Sequence, residues 1–324
     1  MSAAARRVAG AGCIAAAGRI AAVSLTCADA SALAEFYVTL GFQRSGVELR
    51  GGPAFARLML LPRAEARVIL LRLGAEWLEL VSFAQPGRPY PGGGSSNDPW
   101  FQHFAIVVAS MEDALARLND RTGWTPITRP APQRLPASSG GVTAFKFRDP
   151  EGHPLELLEF PQDRMPPVWR ARREALPTWR GASTRPSAAP SPFLGIDHSA
   201  IVVASTARSL EFYERRLGFE RTGASINRGP EQARLDGLAE PEIEVTALAA
   251  PVPRPPHLEL LCYRAPPSRA AFAGPLASHD IAATRLALDV EQWEPTDGAL
   301  CGALIHDPDG HALLLERRTR VAGS

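Results

Sequence analysis

Residues 22–46, AVSLTCADASALAEFYVTLGFQRSG, return at 198–223 as HSAIVVASTARSLEFYERRLGFERTG. With one residue of slack, Phe36-Tyr37 and Leu40-Gly41-Phe42 match Phe212-Tyr213 and Leu217-Gly218-Phe219. Each copy opens on an alternating apolar stretch that predicts a strand. Apolar residues at helical spacing follow, and a glycine stands where a helix closes in the left-handed region. A recurring segment of this kind is one supersecondary unit used more than once.

A second signature also occurs twice, FKFRDPEGHPLELLEF at 145–160 and ALIHDPDGHALLLERR at 303–318. Strand, Asp-Pro-acid-Gly turn and strand make a hairpin: proline presets the turn and glycine supplies the unusual backbone angle. His153 and His311 lie in these turns and read as packing residues. Aligning the strands gives four modules, at about 19–84, 101–161, 194–264 and 281–318. The last is reduced, because VEQWEPTDGA at 290–299 leaves little room for a helix and a full strand. The Gly- and Pro-rich stretch 84–100 reads as a loop, and 161–192 as a linker with one short helix. The division expected is a tail at 1–18, a two-module domain at 19–161, a linker at 162–193, a second domain at 194–318 and a tail at 319–324.

The 324 residues are 45% hydrophobic and 21% charged, with 35 basic against 34 acidic side chains. This is a globular composition without a basic stripe, which argues against nucleic acid or a membrane surface as partner. Cys13, Cys27, Cys262 and Cys301 show no CxxC spacing, the pattern of a reduced, cytoplasmic protein. The opening MSAAARRVAGAGCIAAAG reads as a loose tail or an early start codon, being too weakly apolar for a targeting segment. No stretch reaches the roughly 20 apolar residues of a membrane helix. The partner expected is a small-molecule substrate, bound by a monomer or homodimer.

Superposing the first strands, IDHSAIVVAS, FQHFAIVVAS, IAAVSLTCAD and ATRLALDVEQ, puts His198, His103, Ala22 and Arg285 at one position. Superposing the last strands puts Glu259, Glu156, Glu79 and Leu314 at another. Glu156 shares a strand face with Leu158 and Pro154, where a carboxylate is costly unless neutralised or ligated.

Taken together, these motifs resemble the vicinal oxygen chelate superfamily, which includes glyoxalase I, methylmalonyl-CoA epimerase, extradiol dioxygenases and bleomycin-binding proteins. The resemblance spans nearly the whole chain apart from the N-terminal tail and the central linker. It implies an α+β, glyoxalase/dioxygenase-like fold in which tandem βαβββ modules pair into two cupped mixed sheets. First and last strands then supply ligands, so that His103, Glu156, His198 and Glu259 would hold one divalent ion (Ni, Zn, Fe, Mn or Co). That set is complete only if module two pairs with module three. Pairing one with two would leave Glu79, His103 and Glu156 as a smaller site. We expect two with three. The glyoxalase and epimerase branch further implies a lyase or isomerase that abstracts a proton beside a metal-bound carbonyl, with Glu156 or Glu259 as base. An extradiol-type dioxygenase would need two His and one Glu on iron. A metal-independent binding or resistance protein would use Trp77, Trp100, Phe104 and Phe145 as stacking surfaces. His257, Arg228 and Gln232 are candidate substrate contacts, with Glu231 and Arg234 beside them.

Overall fold

The computed structural model describes residues 17–176, 190–268, 276–290 and 302–316. The expected tails lie almost wholly outside these residues, as do Cys13, Cys301 and 291–301, where module four is expected to be short.

Module one comprises β1 (Ala17–Thr26), α1 (Ala30–Thr39), β2 (Gln43–Gly51), α2 (Gly52–Leu58), β3 (Glu65–Leu73) and β4 (Glu76–Phe83). Module two comprises β5 (Gln102–Val108), α3 (Met111–Asn119), the short β6 (Thr125–Pro126) and β7 (Gln133–Arg134), then β8 (Thr143–Arg148) and β9 (Pro154–Glu159). The linker contributes α4 (Pro167–Glu174). Module three repeats the plan of module one in β10 (Phe193–Val202), α5 (Thr206–Leu217), β11 (Glu220–Arg228), α6 (Pro230–Asp236), β12 (Glu242–Ala249) and β13 (His257–Ala265). Module four supplies β14 (Thr284–Val290), β15 (Gly302–His306) and β16 (Ala312–Glu316).

Local chemistry sets these boundaries. Asp29 caps α1 by accepting from the Ser31 and Ala32 amides, Ser205 caps α5, and Gly218, at φ 72°, ends it. The short α2 and α6 go beyond the βαβββ expectation. Each begins at a Gly-Pro pair, and proline is favoured in a first helical turn, where its missing N–H costs nothing.

The strands form two mixed sheets. One runs β15-β16-β14-β1-β4-β3-β2 and joins modules four and one. The other runs β11-β12-β13-β10-β5-β9-β8-β6, with β7 also on β8, and joins modules three and two. The seams are antiparallel, β1 with β14 and β10 with β5. The structure thus adopts the pairing that the ligand distribution favours.

The two repeated signatures meet each other between the sheets. Tyr37 of module one donates its hydroxyl to Asp149 in the turn of module two at 2.9 Å, and Tyr213 donates to Asp307 in module four at 3.1 Å. The turn histidines cross the same boundary: Nε2–H of His153 donates to the Thr26 carbonyl at 2.9 Å, and that of His311 to the Val202 carbonyl at 2.7 Å. Around these contacts Leu33, Tyr37, Phe104, Phe145, Tyr213 and Leu286 belong to one apolar core.

His153 also donates through Nδ1 to Asp149 at 2.8 Å, so both ring nitrogens face oxygen acceptors and the imidazolium fits best. Burial alone would lower its pKa, but the Asp149 carboxylate and the Thr26 carbonyl raise it. A pKa raised on folding stabilises fully below the unfolded value, about 6.5, and the contribution is lost as pH rises through the folded value. Urea unfolding of wild type should therefore show stability declining on the alkaline side of about pH 6.5. His153→Gln should lower the acidic plateau and flatten that decline. An unchanged slope in the variant would show that His153 is neutral in the fold.

Candidate metal centre

β10 and β5 run side by side through the middle of the second sheet, and the pairing is two-fold symmetric. Ala200 lies opposite His103 and Ala105 opposite His198. The flanking parallel strands set Glu259 beside Ala200 and Glu156 beside Ala105. The two imidazoles are edge to face with centroids 5.9 Å apart. His103 Nε2 is 2.9 Å from Glu156 Oε2, and His198 Nε2 is 3.6 Å from Glu259 Oε2. Donor atoms of His103, Glu156 and His198 all lie within 4.8 Å of one another, and all three side chains are buried. Glu259 stands outside that tight group, with its side chain 27% exposed.

A bulge explains how His198 is held. The register of β10 shifts between Ile196 and His198, so Asp197 is an extra residue that lines the same cavity as His198 instead of alternating away. Asp197 Oδ2 accepts from His198 Nδ1 at 2.9 Å, and Oδ1 accepts from Trp169 Nε1 of α4 at 2.6 Å. The linker helix is itself bolted down. Arg172 donates to both oxygens of buried Glu76 in β4, at 2.6 and 2.7 Å, and to the Leu194 carbonyl at 3.2 Å. Its guanidinium lies 4.6 Å from the Trp169 ring centroid. Gly195 passes beneath, where a Cβ would collide with Arg172, Glu76 and Trp169.

With Nδ1 engaged by a carboxylate, His198 is left with a buried Nε2 that has no hydrogen-bond partner, and so is His103 at Nδ1. For His198, a carboxylate on one imidazole nitrogen and an open second nitrogen is the arrangement of a metal-binding histidine; on His103 the carboxylate is Glu156, itself a candidate ligand. Burial and the Lys146 ammonium lower the His103 pKa to about 4, which keeps it neutral. Burial opposes charge on His198, yet Glu259 and Asp197 raise it to about 9, so without an ion its ring carries a proton that a cation would displace. Burial likewise opposes ionisation of Glu156, but Lys146 and His103 hold it at about 2. Two imidazoles and a permanently ionised carboxylate fit a divalent first-row ion.

These residues line a cavity of about 310 Å³. Gln232 lines it too, whereas Arg228 is exposed at the end of β11, 3.8 Å from Glu242 and outside the lining. His257 is half-buried opposite His198 in the β10–β13 register, outside the cavity lining. Of the aromatic residues considered for stacking, Phe104 and Phe145 belong to the core between the sheets. Four contributors escape the sequence reading: Asp197, Trp169, Asp236 and Lys146. The hairpin repeat carries a signal for the last, since Lys146 stands three residues before its turn aspartate, where Leu304 stands in module four.

Among the described residues the first sheet holds no such group. At its equivalent positions Ala22 and Leu314 cannot ligate. Arg285 is fully buried on the Ser278 carbonyl and the Thr26 hydroxyl, and Glu79 lies 3.6 Å from Arg50.

The family model described as Glyoxalase/Bleomycin resistance protein/Dioxygenase superfamily matches residues 19–157 and 195–315. Among solved structures, glyoxalase I from Zea mays superposes with a TM-score of 0.55 at 15% identity, covering 92% of each chain. A putative dioxygenase from Bacillus subtilis subsp. subtilis str. 168 gives 0.51 at 12% identity, covering 93% of this chain and 86% of that one. At such identities the likeness is one of fold. Among curated proteins there is no sequence match. Both repeats, both sheets and the matched residues agree: the chain belongs to the glyoxalase/bleomycin resistance protein/dioxygenase superfamily.

Proposed function

We propose that the chain is a cytoplasmic, divalent-metal-dependent lyase or isomerase that removes a proton beside the carbonyl of a small, oxygen-rich substrate. The observation that carries this reading is the convergence of His103, Glu156 and His198, with His198 aimed by Asp197. The ion held by these three side chains would supply Lewis-acid polarisation of substrate oxygens. Removing the proton falls to the side chains. Burial and the neighbouring Glu156 raise the Glu259 pKa, making it a stronger base than an ordinary carboxylate, and it is the more accessible of the two glutamates. Glu156, held near 2, suits the permanent charge of a ligand. The base is therefore Glu259, which narrows the choice left open by the sequence. Cys27 and Cys262 are unbridged, in keeping with a reducing compartment. Among the described residues no helix is long and apolar enough to cross a membrane.

A second reading has its own support, because two imidazoles and one carboxylate are also the count of a non-haem Fe(II) oxygenase. Protein purified without chelator should carry about one first-row ion per chain. The stripped protein should gain about 2.7 kcal/mol at a hundredfold excess of ion over Kd. Solvent deuterium should then enter 2-hydroxy or 2-oxo compounds at the carbon beside the carbonyl, read by NMR. Oxygen uptake stoichiometric with a catechol would decide for the second reading. Protein without metal, and with a flat melting response to Ni, Zn, Mn, Co and Fe, would sink both.

A further inference from the structure

The two cups are built on one plan but finished differently. Across their hairpins, Lys146 lies opposite Glu156, Ala247 opposite Glu259, Leu70 opposite Glu79 and Leu304 opposite Leu314. Three of these four equivalent positions are apolar, so the module has no structural need for a lysine there. The short helix over each cup changes in step. Gly52-Pro53 and Ala56-Arg57-Leu58 in α2 match Gly229-Pro230 and Ala233-Arg234-Leu235 in and before α6, which aligns Phe55 with Gln232 and Met59 with Asp236. In the first cup Phe55 and Met59 join Leu314 in an apolar cluster, with Leu304 packed against it. The corresponding residues of the second cup, Gln232, Asp236, Glu156 and Lys146, are all polar and all buried.

This polar set is incomplete. Asp236 accepts from Lys146 Nζ at 2.7 Å, from Gln232 Nε2 at 2.8 Å and from the Tyr263 hydroxyl at 3.3 Å. The backbone of Lys146 is fixed on Thr128, its amide donating to the hydroxyl at 2.7 Å. Yet an ammonium has three N–H donors, and among the described residues its one hydrogen-bond acceptor is Asp236. Gln232, 4% exposed, leaves Oε1 with no partner. Both side chains line the cavity that holds the candidate ligands. A buried donor or acceptor left without a partner is costly, and a ligand that completes the set recovers that cost.

We propose that Lys146 and Gln232 anchor the substrate, Lys146 donating to a carboxylate oxygen and Gln232 Oε1 accepting from a hydroxyl, so that the substrate class is a small hydroxy acid. The inference rests on the functional reading above and adds the group that selects the ligand. A carboxylate is the strongest acceptor for an ammonium, and the 2.7 Å ion pair with Asp236 fixes the Lys146 ammonium at the cavity wall.

The test compares lactate with lactamide, its uncharged isostere, by calorimetry on metal-loaded protein. Wild type should prefer lactate, and Lys146→Gln should reduce the lactate-to-lactamide ratio at least about tenfold, the size of one charge-assisted hydrogen bond. Lys146→Gln alone strands the Asp236 carboxylate, so the double variant K146Q/D236N is measured beside it. That variant removes both charges together and lets two amides pair. The double variant should still take up the ion, with an affinity shifted by the loss of the Lys146 charge beside Glu156 and His103. If the ion is lost instead, Lys146 supports the ligands and the anchor is overturned. Wild type that holds its ion yet does not prefer lactate, or a folded variant that keeps the preference, overturns the anchor and leaves the metal reading standing. Protein that takes up no ion fails both.

Discussion

His198→Ala should lower affinity for the divalent ion more than about 100-fold, and the stabilisation conferred by the ion should largely disappear. A partner behind a metal-binding histidine is worth about 10–100-fold, and removing the imidazole removes more. Asp197→Asn gives the graded control, since it keeps His198 but takes away the carboxylate 2.9 Å from Nδ1. It should fall within that 10–100-fold range, about 1.4–2.7 kcal/mol. Titration of stripped protein, followed by calorimetry, measures both. Equal affinities in wild type and His198→Ala would remove His198 from the ligand set, and with it the shared centre between modules two and three.

Glu76→Ala should be the most destabilising of the substitutions considered, although it lies outside the sheet that carries the candidate site. The buried Glu76 carboxylate takes both arms of Arg172 and also the Ile196 amide at 3.3 Å. Breaking a buried pair typically costs about 3–5 kcal/mol. The Arg172 side chain is 23% exposed, which places the loss toward the lower figure. The melting temperature should then fall by roughly 5 °C. Metal affinity should drop as well, because Arg172 stacks on Trp169, and Trp169 aims Asp197 at His198. A variant that melts lower but binds the ion as wild type does would mean that α4 only staples the halves together.

The features that were legible in the sequence are those carried by local chemistry. Phe36-Tyr37 with Phe212-Tyr213, and the two Asp-Pro-acid-Gly-His turns, define modules because each signature needs its own helix or hairpin. The structure adds why they travel together: the tyrosine of one module docks on the turn aspartate of the next. His103, His198 and the two Leu-Glu-Leu strands could be placed on one face because a strand alternates strictly. Asp197 escaped for the same reason, since strict alternation sends it to the opposite face and only the bulge brings it back. Trp169 and Asp236 escaped because nothing in their own segments reports what they touch. Their partners lie 28 and 90 residues away, at Asp197 and Lys146.

Each sheet draws one module from either half of the chain, and its middle seam is where the halves meet. The molecule is therefore organised like a symmetric dimer whose two subunits have been joined into one polypeptide. In a true homodimer any substitution appears in both cups at once, so neither can be filled without filling its twin. Joining the copies lifts that constraint. One cup has an apolar cluster, with Phe55 and Met59 where the other keeps Gln232 and Asp236. The two halves should then tolerate change by different criteria, the first cup by how well a replacement fills space and the second by whether a ligand can still enter. A library of substitutions scored separately for folding and for ligand binding would divide along the sheets, not along the order of the chain.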